Sequence, residues 1–230
     1  MSIACQEGQI ECARLLLEAG AATDQADSEG FTPLFKACQE GHLEVAQLLR
    51  GAGAAINQAK QNGATPLYVA SQTNHPEIAR LLLEAGAAID QARNNGATPL
   101  FAACQQGQLE CVRLLLEASA AVNQAAANGA TPLLVASLKG HVEIARLLLE
   151  AGAAVEQALT QGATPLLVAC QGGHLEIVRM LLEAGAASDQ ARQDGATPLI
   201  MVCFNGHLEV AKLLSSYGAS RAATPFGTPE

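Results

Sequence analysis

The chain has no tryptophan, and only 3% of its 230 residues are aromatic. Without large rings, a core must be assembled from Leu, Ala, Val and Ile, with alanine allowing helices to approach closely. No apolar run reaches the ~18 residues that a membrane-spanning helix needs, and Met1 is not followed by the pattern of a secretory leader. Basic charge is also scarce. Thirteen Lys and Arg against 22 Asp and Glu leave a net charge of −9. Nucleic-acid binding depends on basic patches that neutralise phosphates, so this balance excludes nucleic acid as the expected partner. Phosphate-cradling loops, nucleophile elbows and HExxH pairs are missing as well. A cytoplasmic, monomeric chain with no cofactor, no membrane contact and no enzymatic activity is expected.

What the chain does have is a period. Thr-Pro-Leu recurs at Thr32, Thr65, Thr98, Thr131, Thr164 and Thr197, each 33 residues after the last. A fixed period of this size marks a stacked repeat array, in which each unit touches only its neighbours. The units run 27–59, 60–92, 93–125, 126–158, 159–191 and 192–220. Residues 1–26 form a partial unit, and 221–230 a short tail whose Thr224-Pro225 falls off the register.

Within a unit the local chemistry predicts two helices. Thr32 suits an N-cap and Pro33 the first helical position, where a missing N–H costs nothing. Leu34, Ala37 and Cys38 share one face, and Gly41 ends the helix. Leu43, Val45, Ala46, Leu48 and Leu49 define a second helix stopped near Gly53, followed by a polar tight turn such as Gln61-Asn62-Gly63.

The sequence G-x-T-P-L-x-x-A-x-x-x-G-H-x-E-[IV]-x-x-L-L-L-E-x-G-A, as in Thr131-Pro132-Leu133 followed by Gly140-His141-Val142-Glu143-Ile144, resembles an ankyrin repeat over residues 1–220. The resemblance implies an all-α fold, an ankyrin-repeat α-solenoid of stacked helix–turn–helix units with β-hairpin-like loops. It also implies a non-catalytic module that binds a protein or peptide partner through a concave groove and its loop tips. One departure is consistent. The histidine usual after Thr-Pro-Leu is replaced by Phe35, Tyr68, Phe101, Leu134, Leu167 and Ile200, which predicts apolar packing instead of a hydrogen-bond network.

The period removes most apparent sites. His42, His75, His141, His174 and His207 occupy one repeat position, with Gln9 and Gln108 standing in elsewhere. Stacked helices lie roughly 8–10 Å apart, too far for neighbouring rings to share an ion that needs ligands at ~2 Å. Cys5, Cys38, Cys104, Cys170 and Cys203 share a second position, and Cys12 and Cys111 a third otherwise held by Val or Ile. Both sets are expected to be core fillers. Carboxylates form two ladders, Glu11 to Glu209 and Glu18 to Glu183. The second is expected to pair at i+4 with Arg14, Arg80, Arg113, Arg146 and Arg179.

Function should therefore lie where the repetition breaks. At the turn and the end of the first helix, Leu138, Leu159 and Phe204 place large apolar groups where other units carry mostly polar ones, and buried anchors of this kind dominate protein–protein affinity. Lys60, Arg93, Lys139 and Arg192 could form a positive stripe, interrupted by Asp27, Glu29 and Asp194. With Thr160 and Gln171, these are the candidate partner-binding residues, with 126–220 as the main contact. Two other readings stay open: a spacer array in a larger protein, and an engineered or consensus-like scaffold. A uniform row of Gln25, Gln58, Gln91, Gln124, Gln157 and Gln190 is expected to bond from loop to loop, and Ser215 and Ser216 to give the last repeat a polar capping face.

Overall fold

The structure, a computed structural model, describes residues 1–219. The described residues form fourteen α-helices and no strand. They fall into two compact units, one from Met1 to Ala121 and the other from Val122 onward. Ser220 and the expected tail 221–230 lie outside the described residues.

Unit 1 contains α1 (Ser2–Gln6), α2 (Ile10–Glu18), α3 (Pro33–Glu40), α4 (Leu43–Gly51), α5 (Pro66–Gln72), α6 (Pro76–Glu84), α7 (Pro99–Gln106) and α8 (Leu109–Glu117). Unit 2 contains α9 (Pro132–Lys139), α10 (Val142–Glu150), α11 (Pro165–Gly172), α12 (Leu175–Glu183), α13 (Pro198–Asn205) and α14 (Leu208–Ser216). In each unit the first helices of successive repeats stack in one row and the second helices in another. No helix among the described residues is long and apolar enough to cross a membrane.

Each first helix from α3 onward starts as the Thr-Pro pair dictates. Thr32 Oγ1 accepts from Phe35 N at 3.1 Å, and Thr65, Thr98, Thr131, Thr164 and Thr197 repeat the bond. The threonines are buried, so each cap satisfies an N–H that water cannot reach. Most of these helices close on a left-handed glycine, such as Gly41 at φ 83°. Helices this short are marginal alone, so burial must hold them. Leu34, Leu67, Leu100, Leu133 and Leu166 in the first row, and Leu49, Leu82, Leu115, Leu148 and Leu181 in the second, are essentially inaccessible. Each such side chain contributes about 1.5–3 kcal/mol. At the family-histidine position, Phe35, Tyr68, Phe101, Leu134 and Leu167 are buried and pack apolarly.

The loops are tight turns rather than strand ladders. Lys60 N donates to Ala64 O at 2.9 Å, Gly63 N donates to Lys60 O at 2.9 Å, and the pattern recurs in later repeats.

Three expectations need correction. Three of the five outer arginines pair at i,i+3 with the first glutamate ladder, not at i+4 with the second: Arg14–Glu11, Arg113–Glu110 and Arg146–Glu143 are each 3.7 Å apart. Helical side chains lean toward the N-terminus, which carries each arginine back over the preceding turn. Cys12 and Cys203 are exposed, unlike the other five cysteines. The Cys12 position faces the preceding repeat, as Cys111 Sγ does toward Ala70 O at 4.0 Å, and none precedes it among the described residues. The Cys203 position faces the following repeat, and none follows among the described residues. Finally, Ser215 and Ser216 do not give a polar capping face. Their hydroxyls bond back to Ala211 O and Leu213 O, while Ile200, Phe204, Leu208 and Tyr217 stay exposed.

Candidate functional site

The histidine row that begins each second helix makes no side-chain cap to its own helix. Four of the rings reach back one repeat instead. His42 Nε2 lies 2.9 Å from Gln6 O and His75 Nε2 3.2 Å from Gln39 O in unit 1; His174 Nε2 lies 3.3 Å from Leu138 O and His207 Nε2 3.1 Å from Gln171 O in unit 2. A carbonyl only accepts, so Nε2 carries the proton. Gln108 replaces the ring and donates from Nε2 to Gln72 O at 3.2 Å. These tethers fix the backbone at the residues whose side chains were singled out on the first helices, Leu138 and Gln171 among them.

The tether sets a steric condition on the glycine beneath it. A Cβ at Gly41 would sit 2.4 Å from Cε1 of His75, and one at Gly140 2.6 Å from Cε1 of His174. The equivalent position in the next repeat is Asn74, which holds φ 63° and bears a Cβ. Its tether is the slender Gln108 rather than an imidazole.

Two further ladders join the loops. An acceptor oxygen at one position takes the backbone N–H of the next repeat: Asp24 from Ala55 at 2.8 Å, Asn57 from Ala88 at 2.9 Å and Asp90 from Ala121 at 2.9 Å. Unit 2 continues with Asn123 from Ala154 at 2.8 Å and Glu156 from Ala187 at 2.7 Å. The expected glutamine row contributes one long contact of this kind, Gln58 Nε2 to Asp24 O at 3.5 Å. The residue before five of these glutamines does the work, offering a carboxylate or amide oxygen to that N–H. At the turn tip, Gln61, Asn94 and Gln193 donate to Ser28 O, Gln61 O and Thr160 O.

Against this frame the candidate residues separate. In unit 2, Leu138 lies in the last turn of α9 with 44% exposure and Phe204 in the last turn of α13 with 85%, at one repeat position with exposed Gln171 between them in register. Lys139 is exposed beside Leu138. Leu159 is half-buried, its Cα 3.2 Å from where a Cβ on Gly129 would lie. Thr160 Oγ1 donates to Asn128 O at 3.4 Å. Arg192 is held by both oxygens of Asp194, with Nε to Oδ1 at 2.9 Å. That bond, reinforced by the Ala196 N–H, lowers the Asp194 carboxyl to about 2. The expected positive stripe is therefore quenched at Arg192.

In unit 1, Lys60 Nζ lies 3.8 Å from the centroid of Phe31, and Lys36 Nζ 4.2 Å from the same ring. Phe31 also meets Phe35 edge-on at 5.3 Å. Arg93 sits over the Tyr68 ring, 5.2 Å from Cζ to the centroid, and donates from Nη1 to the Tyr68 hydroxyl at 3.2 Å. Phe31 escaped the sequence reading, although every later repeat carries alanine there, from Ala64 to Ala196.

Reactive chemistry has little footing. Burial pushes the Cys38 and Cys104 thiols up from their ordinary value, and those of Cys111 and Cys170 up to about 12, so none is a ready nucleophile. Among the described residues, no group of three His, Cys, Asp or Glu is arranged to hold a metal.

A family model described as ankyrin repeats in three copies matches residues 1–93, 86–158 and 152–224. The crystal structure of the human ASB11 ankyrin repeat domain is similar with a TM-score of 0.85 and 26% sequence identity, covering 96% of this chain and 98% of that one. In all, 613 chains of solved structures match, too many for the fold alone to identify a partner. A search of curated proteins found no significant match. The paired helices, their 33-residue period and the family match over most of the length lead to one conclusion: the chain belongs to the ankyrin-repeat family.

Proposed function

We propose that the chain is a non-catalytic protein-binding module whose main contact is made by the loop tips and first-helix ends of residues 126–220. Leu138 and Phe204 are the anchors, Lys139 and Gln171 add polar contacts, and Leu159, Thr160 and Arg192 form the loop side of the surface. Lys60 and Arg93 are candidate contacts of their own on unit 1. The observation that carries this reading is the exposure of Leu138 and Phe204 at a repeat position that is glutamine elsewhere. An exposed aliphatic and an exposed aromatic group carried on helices are the raw material of an interface hot spot.

The test is a quantitative pull-down comparing the intact chain with Leu138→Asp/Phe204→Asp, with circular dichroism confirming that both fold alike. The reading expects partner recovery to fall by at least about tenfold, since each anchor of this kind is worth more than ~1 kcal/mol. Equal recovery from the two proteins sinks the footprint, and no recovery above background from the intact chain favours a spacer array. Seven unpaired thiols favour a reducing compartment such as the cytoplasm. A monomer is expected, and light scattering that returned twice the 23.6 kDa chain mass would refute it.

A further inference from the structure

Unit 1 has a groove unlike the rest of this acidic chain. It is an open space of about 290 Å³ with Phe31, Phe35 and Tyr68 in its walls, Lys60 and Arg93 on the loop side and Gln72 on the helix side; no carboxylate lines it. The nearby acids are engaged elsewhere. Asp27 accepts from the N–H groups of Glu29 and Phe31 and lies 3.9 Å from Lys36, and Glu40 accepts from the Gln39 amide. Aromatic residues also concentrate here. The position that is Phe35, Tyr68 and Phe101 in unit 1 is Leu134, Leu167 and Ile200 in unit 2.

The chain supplies its own control for the charge. Arg93 and Arg192 hold the same repeat position, two residues before Asn95 and Asp194 respectively. Arg192 closes on that aspartate through two bonds. Arg93 has only an amide in the same place. Its guanidinium turns to Tyr68, and its Nε is buried with no hydrogen-bond partner. A buried, unpaired guanidinium N–H has a cost that a carboxylate removes, because the planar fork matches that acceptor in two bonds. Both cations are also held in place, Lys60 on Phe31 and Arg93 on Tyr68, so little ordering remains when a partner arrives.

We propose that this groove is a second recognition site, and that its occupant is an extended segment of a partner protein presenting an Asp or Glu side chain to Arg93 and Lys60 beside an apolar side chain laid against Phe31 and Tyr68. The volume suits one or two side chains rather than a whole small ligand. The site extends the protein-binding reading to a surface of its own, and it stands even if the unit 2 face binds nothing.

The experiment is a selection of random twelve-residue peptides displayed on phage against the intact chain, followed by fluorescence polarisation with the most enriched peptide made synthetically and labelled. Enrichment of Asp or Glu next to an aromatic or aliphatic residue is expected. Arg93→Gln and Lys60→Gln should each weaken binding by about tenfold or more. Asn95→Asp should do likewise, because it gives Arg93 the internal partner that Arg192 already has. Glu176→Gln, exposed on α12 and outside both surfaces, should leave the affinity unchanged, whereas loss of peptide binding by Leu138→Asp/Phe204→Asp would place the peptide on the unit 2 face and overturn the proposal. Thermal melts confirm folding of every variant. Selection of peptides without carboxylates, no enrichment at all, or binding as tight as the unchanged chain's by Arg93→Gln or by Asn95→Asp overturns the proposal. So does a fifteen-nucleotide oligo-dT probe that binds in an Arg93-dependent way and displaces the peptide, since it would assign the groove to nucleic acid.

Discussion

The fit between Gly41 and His75 can be tested by rebuilding the exception the chain already contains. Gly41 lies at φ 83° with the His75 ring where a Cβ would be, at 2.4 Å. Asn74 and Gln108 occupy the same two positions one repeat on and tolerate a Cβ at φ 63°. Asparagine visits the left-handed region readily, so the conformation alone should cost Gly41→Asn well under the ~1–2 kcal/mol that an ordinary residue loses there. The steric term is larger. The ring must move away, losing the 3.2 Å bond to Gln39 O at about 1 kcal/mol and some packing besides. Gly41→Asn should therefore cost about 2–3 kcal/mol. His75→Gln keeps a donor for Gln39 O and should cost about 1 kcal/mol or less. In the double variant the clash is absent, so the two changes should not add. A coupling of about 1–2 kcal/mol in the rescuing direction is expected. Urea unfolding of all four proteins at constant slope measures it. Additivity within about 0.3 kcal/mol would show that the ring is not what demands glycine here.

Four further outcomes concern smaller perturbations. Ser119 holds φ 67° where every other repeat has glycine, and the corresponding glycines, Gly53 and Gly86 among them, have open space around a would-be Cβ. Ser119→Gly should therefore raise stability by about 1 kcal/mol, read as a higher urea midpoint. The Ser137 hydroxyl is buried without a partner, whereas Ser71 donates to Leu67 O at 2.8 Å. Ser137→Cys, the residue at that position in most repeats, should stabilise by about 1 kcal/mol, and Ser71→Cys should not. A thiol reagent should modify Cys12 and Cys203 within minutes and Cys38, Cys104 and Cys170 only on unfolding. Because burial raises the Cys170 thiol from 9.0 to about 12, the folded state holds its proton longer. The stabilisation is thus full below pH 9.0 and declines as pH rises toward about 12. Urea midpoints at pH 8 and 10 for wild type and Cys170→Ala test the sign, and an equal loss in both would refute it.

What could be read from the sequence was whatever a residue does within its own repeat. The Thr-Pro caps, the glycine stops and the buried leucines depend on neighbours a few positions away, and their chemistry is local. The bonds between repeats were hidden because their partners lie some thirty residues apart and involve backbone atoms. Asp24 and Asn57 look like turn residues until Ala55 and Ala88 are seen donating to them. The outer arginines had a glutamate on either side, and only the lean of helical side chains decides between them. Cys203 has the same letter as Cys170 but no described helix pair beyond it. Phe31 was legible and overlooked. It breaks a row of alanines, and that break marks a groove where cations and rings converge.

The ladders of side-chain bonds joining neighbouring repeats within each unit span a narrow range of sequence separations. Loop acceptors reach 31 residues, turn tips 32 or 33, and histidine tethers 36. One inserted residue in a loop would put all three out of step at once, whereas a whole extra repeat would disturb none. The closure entropy for docking one more repeat depends on that separation and not on how many repeats are already in place. Folding can thus proceed by steps of equal difficulty along each unit, and lengthening the array should leave the rate of each step unchanged.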